Sequence, residues 1–193
     1  GDVITISAKA PEAGKRFTHW TWECVDKAGQ QVEMSFADNT TASDANAKVI
    51  IPDPENIKGN NIYFTANYED IPTTGVTLSK DTLELVNGNS GTLTATVEPS
   101  EASQSVTWAS SNTAVATVDE SGNVTAVGAG TATITATAKV AAADGLTHSA
   151  SCTVTVMEPT YTVTLNPNEG TIADGKNVTG YVRGTVTALP TAA

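Results

Sequence analysis

Val106-Thr107-Trp108-Ala109-Ser110-Ser111-Asn112 is followed within a few residues by Val115-Ala116-Thr117-Val118-Asp119, Ser121-Gly122, Val124-Thr125-Ala126 and Gly130-Thr131-Ala132-Thr133-Ile134-Thr135-Ala136. Apolar or small residues alternate with polar ones, the period-two pattern of strands with one buried and one wet face. The same pattern extends outward to runs at 76–79, 82–86, 91–97 and 149–156. Turn formers such as Asn87-Gly88, Pro99-Ser100, Ser121-Gly122 and the glycines at 128 and 130 separate many of them. One small sheet cannot bury its apolar face alone, so residues 75–157 are expected to form a two-sheet sandwich. Its core is expected to contain Leu93, Ala95, Val97, Val106, Trp108, Val115, Ile134, Ala136, Cys152, Val154 and Val156, with Trp108 at the centre.

These motifs, with the leading Val76-Thr77-Leu78-Ser79 and the closing Cys152-Thr153-Val154-Thr155-Val156, resemble bacterial immunoglobulin-like domains of group 2. The resemblance covers the whole of 75–157. It implies an immunoglobulin-like β-sandwich of the kind found in bacterial surface adhesins and as spacers in secreted multimodular proteins.

Two proline-marked joints, Asp70-Ile71-Pro72-Thr73-Thr74-Gly75 and Met157-Glu158-Pro159-Thr160, interrupt the strand pattern and divide the chain into 1–71, 75–157 and 160–193. The first piece reads as strands near 3–8, 17–24, 32–36, 48–51 and 61–68. Its Gly14-Lys15-Arg16-Phe17-Thr18-His19-Trp20 and closing Phe64-Thr65-Ala66-Asn67-Tyr68-Glu69 resemble the divergent internalin-type B repeat, although Trp22 and the polar insertion 39–46 depart from that pattern. The last piece, with Tyr161-Thr162-Val163-Thr164-Leu165, Glu169-Gly170-Thr171, Gly184-Thr185-Val186 and Leu189-Pro190-Thr191, resembles the front half of such a repeat. The expected architecture is all-β: a sandwich flanked by small β-rich modules, β-grasp-like or divergent B repeats, in a linear array. The chain is expected to begin inside one repeat and stop inside another, with the last piece either pairing head to tail with the first module of a second copy or docking back on its own sandwich, unless the first and last pieces are independently complete variants.

Composition narrows the function. The 193 residues carry 10 Lys and Arg against 21 Asp and Glu, a formal charge of −11. An acidic chain without a basic cluster does not supply the cations that neutralise phosphates, which excludes nucleic acid as a partner and disfavours anionic lipid. No apolar run approaches the roughly 20 residues of a membrane helix, so direct membrane insertion is not expected. Cys24 and Cys152 each stand alone in their own module and are expected to be free thiols.

The side chains that carry chemistry are few. Catalysis of the Ser-His-Asp or Cys-His kind would have to use His19 or His148, and neither neighbours a nucleophile signature such as Gly-x-Ser-x-Gly. Two His and two Cys scattered over three pieces lack zinc-ligand spacing. Asp53, Glu55 and Asn56 in one loop, and Asn166, Asn168, Glu169 and Asp174 in another, offer oxygen donors to calcium, but without the alternating spacing of a dedicated loop. No catalytic residue, metal or other cofactor is therefore expected. Trp20, Trp22 and Tyr63, with Tyr68, are the candidates for stacking on a sugar; Trp20 and Trp22 share parity on one strand, which points them to a core instead.

The expected function is a non-catalytic stalk, spacer or adhesion module of a bacterial cell-surface or secreted protein, located outside the cell. Its partners would be other modules of the same polypeptide, with a host surface protein or glycan where adhesion is served. The alternative is an accessory carbohydrate-binding region of a secreted glycan-degrading enzyme.

Overall fold

The computed structural model describes residues 1–161 and 181–182. The chain divides into two compact units. The first comprises Gly1–Gly75, Val97–Ser105 and Lys139–His148; the second comprises Val76–Thr96, Val106–Ala138 and the chain from Ser149 onward. The front half of a repeat expected at 160–193 and the calcium donors Asn166, Asn168, Glu169 and Asp174 lie almost wholly outside the described residues.

In the first unit β1 (Val3–Ser7), β4 (Asn46–Ile50) and β3 (Ser35–Phe36) form one antiparallel sheet in that order. β2 (Lys15–Glu23) and β5 (Tyr63–Asp70) form an antiparallel pair. Between these elements a small core collects Cys24, Met34, Val49 and Ile57, with Ile6, Trp22, Phe36 and Phe64 packed against it. The register of β2 on β5 slips at Thr18. This bulge lets Phe17 and Trp20, three positions apart, meet on one face with ring centroids 5.7 Å apart, beside Tyr68 at 5.9 Å from Phe17. The polar insertion 39–46 closes over this face: the Trp20 amide donates to the Ala42 carbonyl and its indole N–H to the Asp44 carbonyl.

The segments Val97–Ser105 and Lys139–His148 join the first unit through backbone bonds. Gly14 bridges Ala102, and buried Thr73 donates its amide to the Ala141 carbonyl and its hydroxyl to that of Val140.

From Gly75 onward the strands are β6 (Gly75–Leu78), β7 (Thr82–Val86), β8 (Ser90–Thr92), β9 (Ala95–Glu98), β10 (Val106–Ser110), β11 (Ala116–Val118), β12 (Asn123–Ala126), β13 (Gly130–Ala138) and β14 (Ser149–Met157). A four-stranded sheet runs β10-β13-β14-β7 and a three-stranded sheet runs β11-β12-β8. β7 lies parallel to β14, whereas the other pairings of these two sheets are antiparallel. Leu83, Leu85, Ile134, Cys152, Val154 and Val156 from the larger sheet meet Ala116, Val124 and Ala126 from the smaller, with Leu93 and Val115 between them. That shared apolar layer makes the unit a β-sandwich. On the outer face of β13 and β14, Thr131, Thr133, Thr135 and Thr137 stand opposite Thr155, Thr153, Ser151 and Ser149.

Two expectations are corrected here. The run 91–97 is not one strand: it breaks at Leu93 and Thr94, because β8 pairs with β12 while β9 pairs with β6. Val106, Trp108 and Ala95, expected in the core, are only half-buried. Val106 and Trp108 do face inward, level with Ala138 and Ala136, but β10 is the edge strand of its sheet. An edge position gives a large ring neighbours on one side only, so Trp108 caps the rim of the core. Val115, Ile134, Cys152 and Val154 are buried.

A short antiparallel pair of β15 (Thr160–Tyr161) and β16 (Tyr181–Val182) follows, matching Tyr161 with Tyr181.

Candidate functional site

The carboxylates of this chain close turns. Asp26 accepts the amides of Ala28 and Gln30 at 2.8 Å each. Asp44 accepts the Thr41 amide at 2.7 Å, and Asp144 the Leu146 amide at 2.9 Å. Asp53, offered above as a calcium ligand, accepts the Glu55 amide at 3.0 Å and thereby starts the 3-10 turn Pro54–Asn56. Asp119 accepts the amides of Ser121 and Asn123 and the carboxamide of Asn123, all at 2.9 Å. These bonds favour the ionised form, so its carboxyl lies below the usual 3.8, with the Asn123 side chain the largest cause.

Other acids pair with cations at the surface. Lys15 meets Asp70 at 2.7 Å and Arg16 meets Glu69 at 2.6 Å, while Lys48 pairs with Asp38. The Asp70 partner holds the Lys15 ammonium above its ordinary 10.5. Among the described residues no three His, Cys, Asp or Glu side chains converge to hold a metal.

His19 is exposed on β2, its Nδ1 3.0 Å from the neighbouring Thr18 hydroxyl. Cys24 and Cys152 are both free and buried, and burial raises both thiols above the ordinary value.

The stacking candidates separate. Trp20 is 6% exposed and its indole is occupied by the Asp44 carbonyl. Trp22 is half-buried, donates to the Val32 carbonyl at 3.0 Å and meets Phe36 edge-on at 6.0 Å. Tyr63 is 60% exposed and stands directly opposite Glu23 across the β2–β5 pair. Strand alternation puts it on the other face from Phe64 and the tryptophans.

Around Tyr63 the first unit forms a shallow concavity lined by Glu23, Cys24, Val25, Gln31, Lys58 and Asn61. Backbone bonds fix its outline: Val25 bridges Gln31, Asp26 bridges Ile57, and the Lys58 amide donates to the Val25 carbonyl at 2.9 Å. Sequence reading singled out Tyr63 but none of the polar side chains around it. The β2–β5 ladder sets Glu23 opposite Tyr63, Lys58 and Asn61 precede Tyr63 closely in the chain, and the bridges bring Gln31 beside them. A second groove, beside Tyr68, is chemically occupied. The Tyr68 hydroxyl donates to the Lys9 carbonyl at 2.6 Å, and the Asn67 carboxamide donates to His19, Thr21 and Thr65.

Residues 72–157 match the family model described as bacterial Ig-like domain (group 2). The sandwich described above is thus Ig-like. Over 90 residues the chain is 51% identical to a lacto-N-biosidase of Bifidobacterium bifidum, covering 44% of this chain and 8% of that protein. Over 64 residues it is 59% identical to a minor capsid protein of Enterobacteria phage T3, covering 33% of this chain and 14% of that protein. The chain spans about a tenth of the length of the curated relatives it matches. Among solved structures, an intimin mutant of EHEC O157:H7 aligns with 21% identity over 46% of this chain and 54% of that one, with a TM-score of 0.30.

Proposed function

We propose that the chain is a non-catalytic run of β modules from a bacterial cell-surface or secreted protein, a spacer that holds other parts of its polypeptide apart outside the cell. The Ig-like match over 72–157 carries this reading. It is supported by Asp26, Asp44, Asp53, Asp119 and Asp144, which close turns, and by Asp38, Glu69 and Asp70, which pair with surface cations. Similar segments occur in a lacto-N-biosidase and in a phage minor capsid protein, which favours a role separable from any one reaction. In this reading residues 1–71 are a divergent internalin-type B-repeat-like module and 160–193 the front half of a further one, and adhesion to a host surface protein or glycan is a task of the assembled protein. The purified chain, incubated with panels of chromogenic glycosides, esters and peptides, is expected to release product no faster than buffer. A saturable rate that disappears in His19→Ala or His148→Ala would overturn the reading.

A second reading makes the chain an accessory carbohydrate-binding region of a secreted glycan-degrading enzyme. The exposed Tyr63 with its polar rim and the lacto-N-biosidase similarity favour it.

A further inference from the structure

We infer that the concavity around Tyr63 binds a neutral saccharide, the phenol ring serving as stacking platform and Glu23, Gln31, Lys58 and Asn61 as the hydrogen-bonding rim. This inference rests on the second reading and gives it a place in the fold.

Three observations carry it. The first is the ring. Tyr63 opens β5 and is paired with Glu23 of β2, which fixes its backbone, yet 60% of the residue faces solvent while Phe17 packs on Trp20 and Trp22 on Phe36. An aromatic ring held rigidly in a concavity with little packed against it offers an apolar face at small entropic cost.

The second is the balance of the rim. It holds one carboxylate, one ammonium and two carboxamides, so it has donors and acceptors without surplus charge. A pyranose presents C–H groups on one face and hydroxyls that both donate and accept around its edge. An anion would call for surplus cations, and an apolar peptide for more exposed hydrophobic surface than Val25 supplies beside the ring.

The third is preorganisation. The Gln31 carboxamide donates to the Trp22 carbonyl at 3.3 Å, which orients it and leaves its oxygen for a ligand hydroxyl. The bridges from Val25 to Gln31 and from Val25 to Lys58 hold three segments around one ring before any ligand arrives.

The test uses the intact chain in native gels cast with neutral polysaccharides, namely arabinan, galactan, laminarin and xyloglucan, followed by calorimetry with oligosaccharides of whichever retards it. Retardation is expected in at least one gel and should be insensitive to added salt. Tyr63→Ala should weaken binding about tenfold or more, whereas Tyr63→Trp should keep it within about threefold. Because Tyr63 is exposed, both variants should melt as the parent does. Binding that persists unchanged in Tyr63→Ala overturns this site and leaves the second reading standing. No retardation in any gel, or salt-sensitive retardation only by a sulfated polysaccharide, overturns both and leaves the spacer reading untouched.

Discussion

Trp108 and Ile134 face the same apolar layer at different depths. Ile134 is fully buried on a central strand, while Trp108 sits on the edge strand β10, half in water. Ile134→Ala should therefore cost about 3 kcal/mol, and Trp108→Ala roughly half the usual price of a buried tryptophan, about 2 kcal/mol, in urea denaturation. An equal or larger loss at Trp108 would mean that its ring closes the core. Alternation in the sequence identified which face of the strand Trp108 occupies. It carried no information about distance from the sheet edge, because strand order depends on pairings remote in the chain. The cysteines were easier to read, since an isolated Cys on an apolar stripe behaves as a small hydrophobe. Titration with a thiol reagent should give two thiols per chain in denaturant and a slow, incomplete reaction in the folded protein.

The turn joining β11 to β12 shows how closely local chemistry and packing are coupled. Gly122 has φ of +81°, its amide bonds the Asp119 carbonyl, and its own carbonyl accepts the Leu93 amide. A Cβ there would lie 2.3 Å from the Leu93 carbonyl oxygen and 2.9 Å from the Trp108 ring. Gly88, at φ +89°, has open space where its Cβ would stand. Gly88→Ala should accordingly cost about 1 kcal/mol for the backbone alone, and Gly122→Ala more than about 2 kcal/mol because the clash adds to it. Equal losses would show that the two turns differ little. Asp119 gives the same turn a pH dependence. Its folded carboxyl titrates below 3.8, so the unfolded chain takes up the proton first as pH falls. The stabilisation is complete above the unfolded value and fades as pH drops through the folded one. In thermal melts the difference between the parent and Asp119→Asn should be largest near neutrality and shrink in acid. A difference independent of pH would contradict this origin. The Ser121-Gly122 signal was legible in sequence because turn chemistry is local. The break between β8 and β9 was not, because Thr92-Leu93-Thr94-Ala95 continues the alternation while the chain changes partners.

At the scale of the molecule, the all-β character and the sandwich were legible in the repeated short strands, and residues 72–157 bear that out. The polar rim around Tyr63 was not legible, since it depends on which residue of β2 faces Tyr63 and on the isolated bridges at Val25 and Asp26 that bring Gln31 and Lys58 alongside, and these leave no periodicity. The parallel pairing of β7 with β14 has a consequence for a chain joining two distant points. β7 stands near the start of the sandwich and β14 at its end, matched from Thr82 and Thr153 to Val86 and Met157. Tension applied through the two ends drags these strands along their own length in opposite directions. The evenly spaced bonds of a parallel ladder then carry the load together, in shear, and cannot open one at a time as they would in a peeled hairpin. Stretched in optical tweezers from anchors at residues 75 and 158, the sandwich should hold to a higher force than when the same anchors are moved to 130 and 156, across the β13–β14 hairpin. The strand order that closes the sheet is thus also what would let the domain bear a pull.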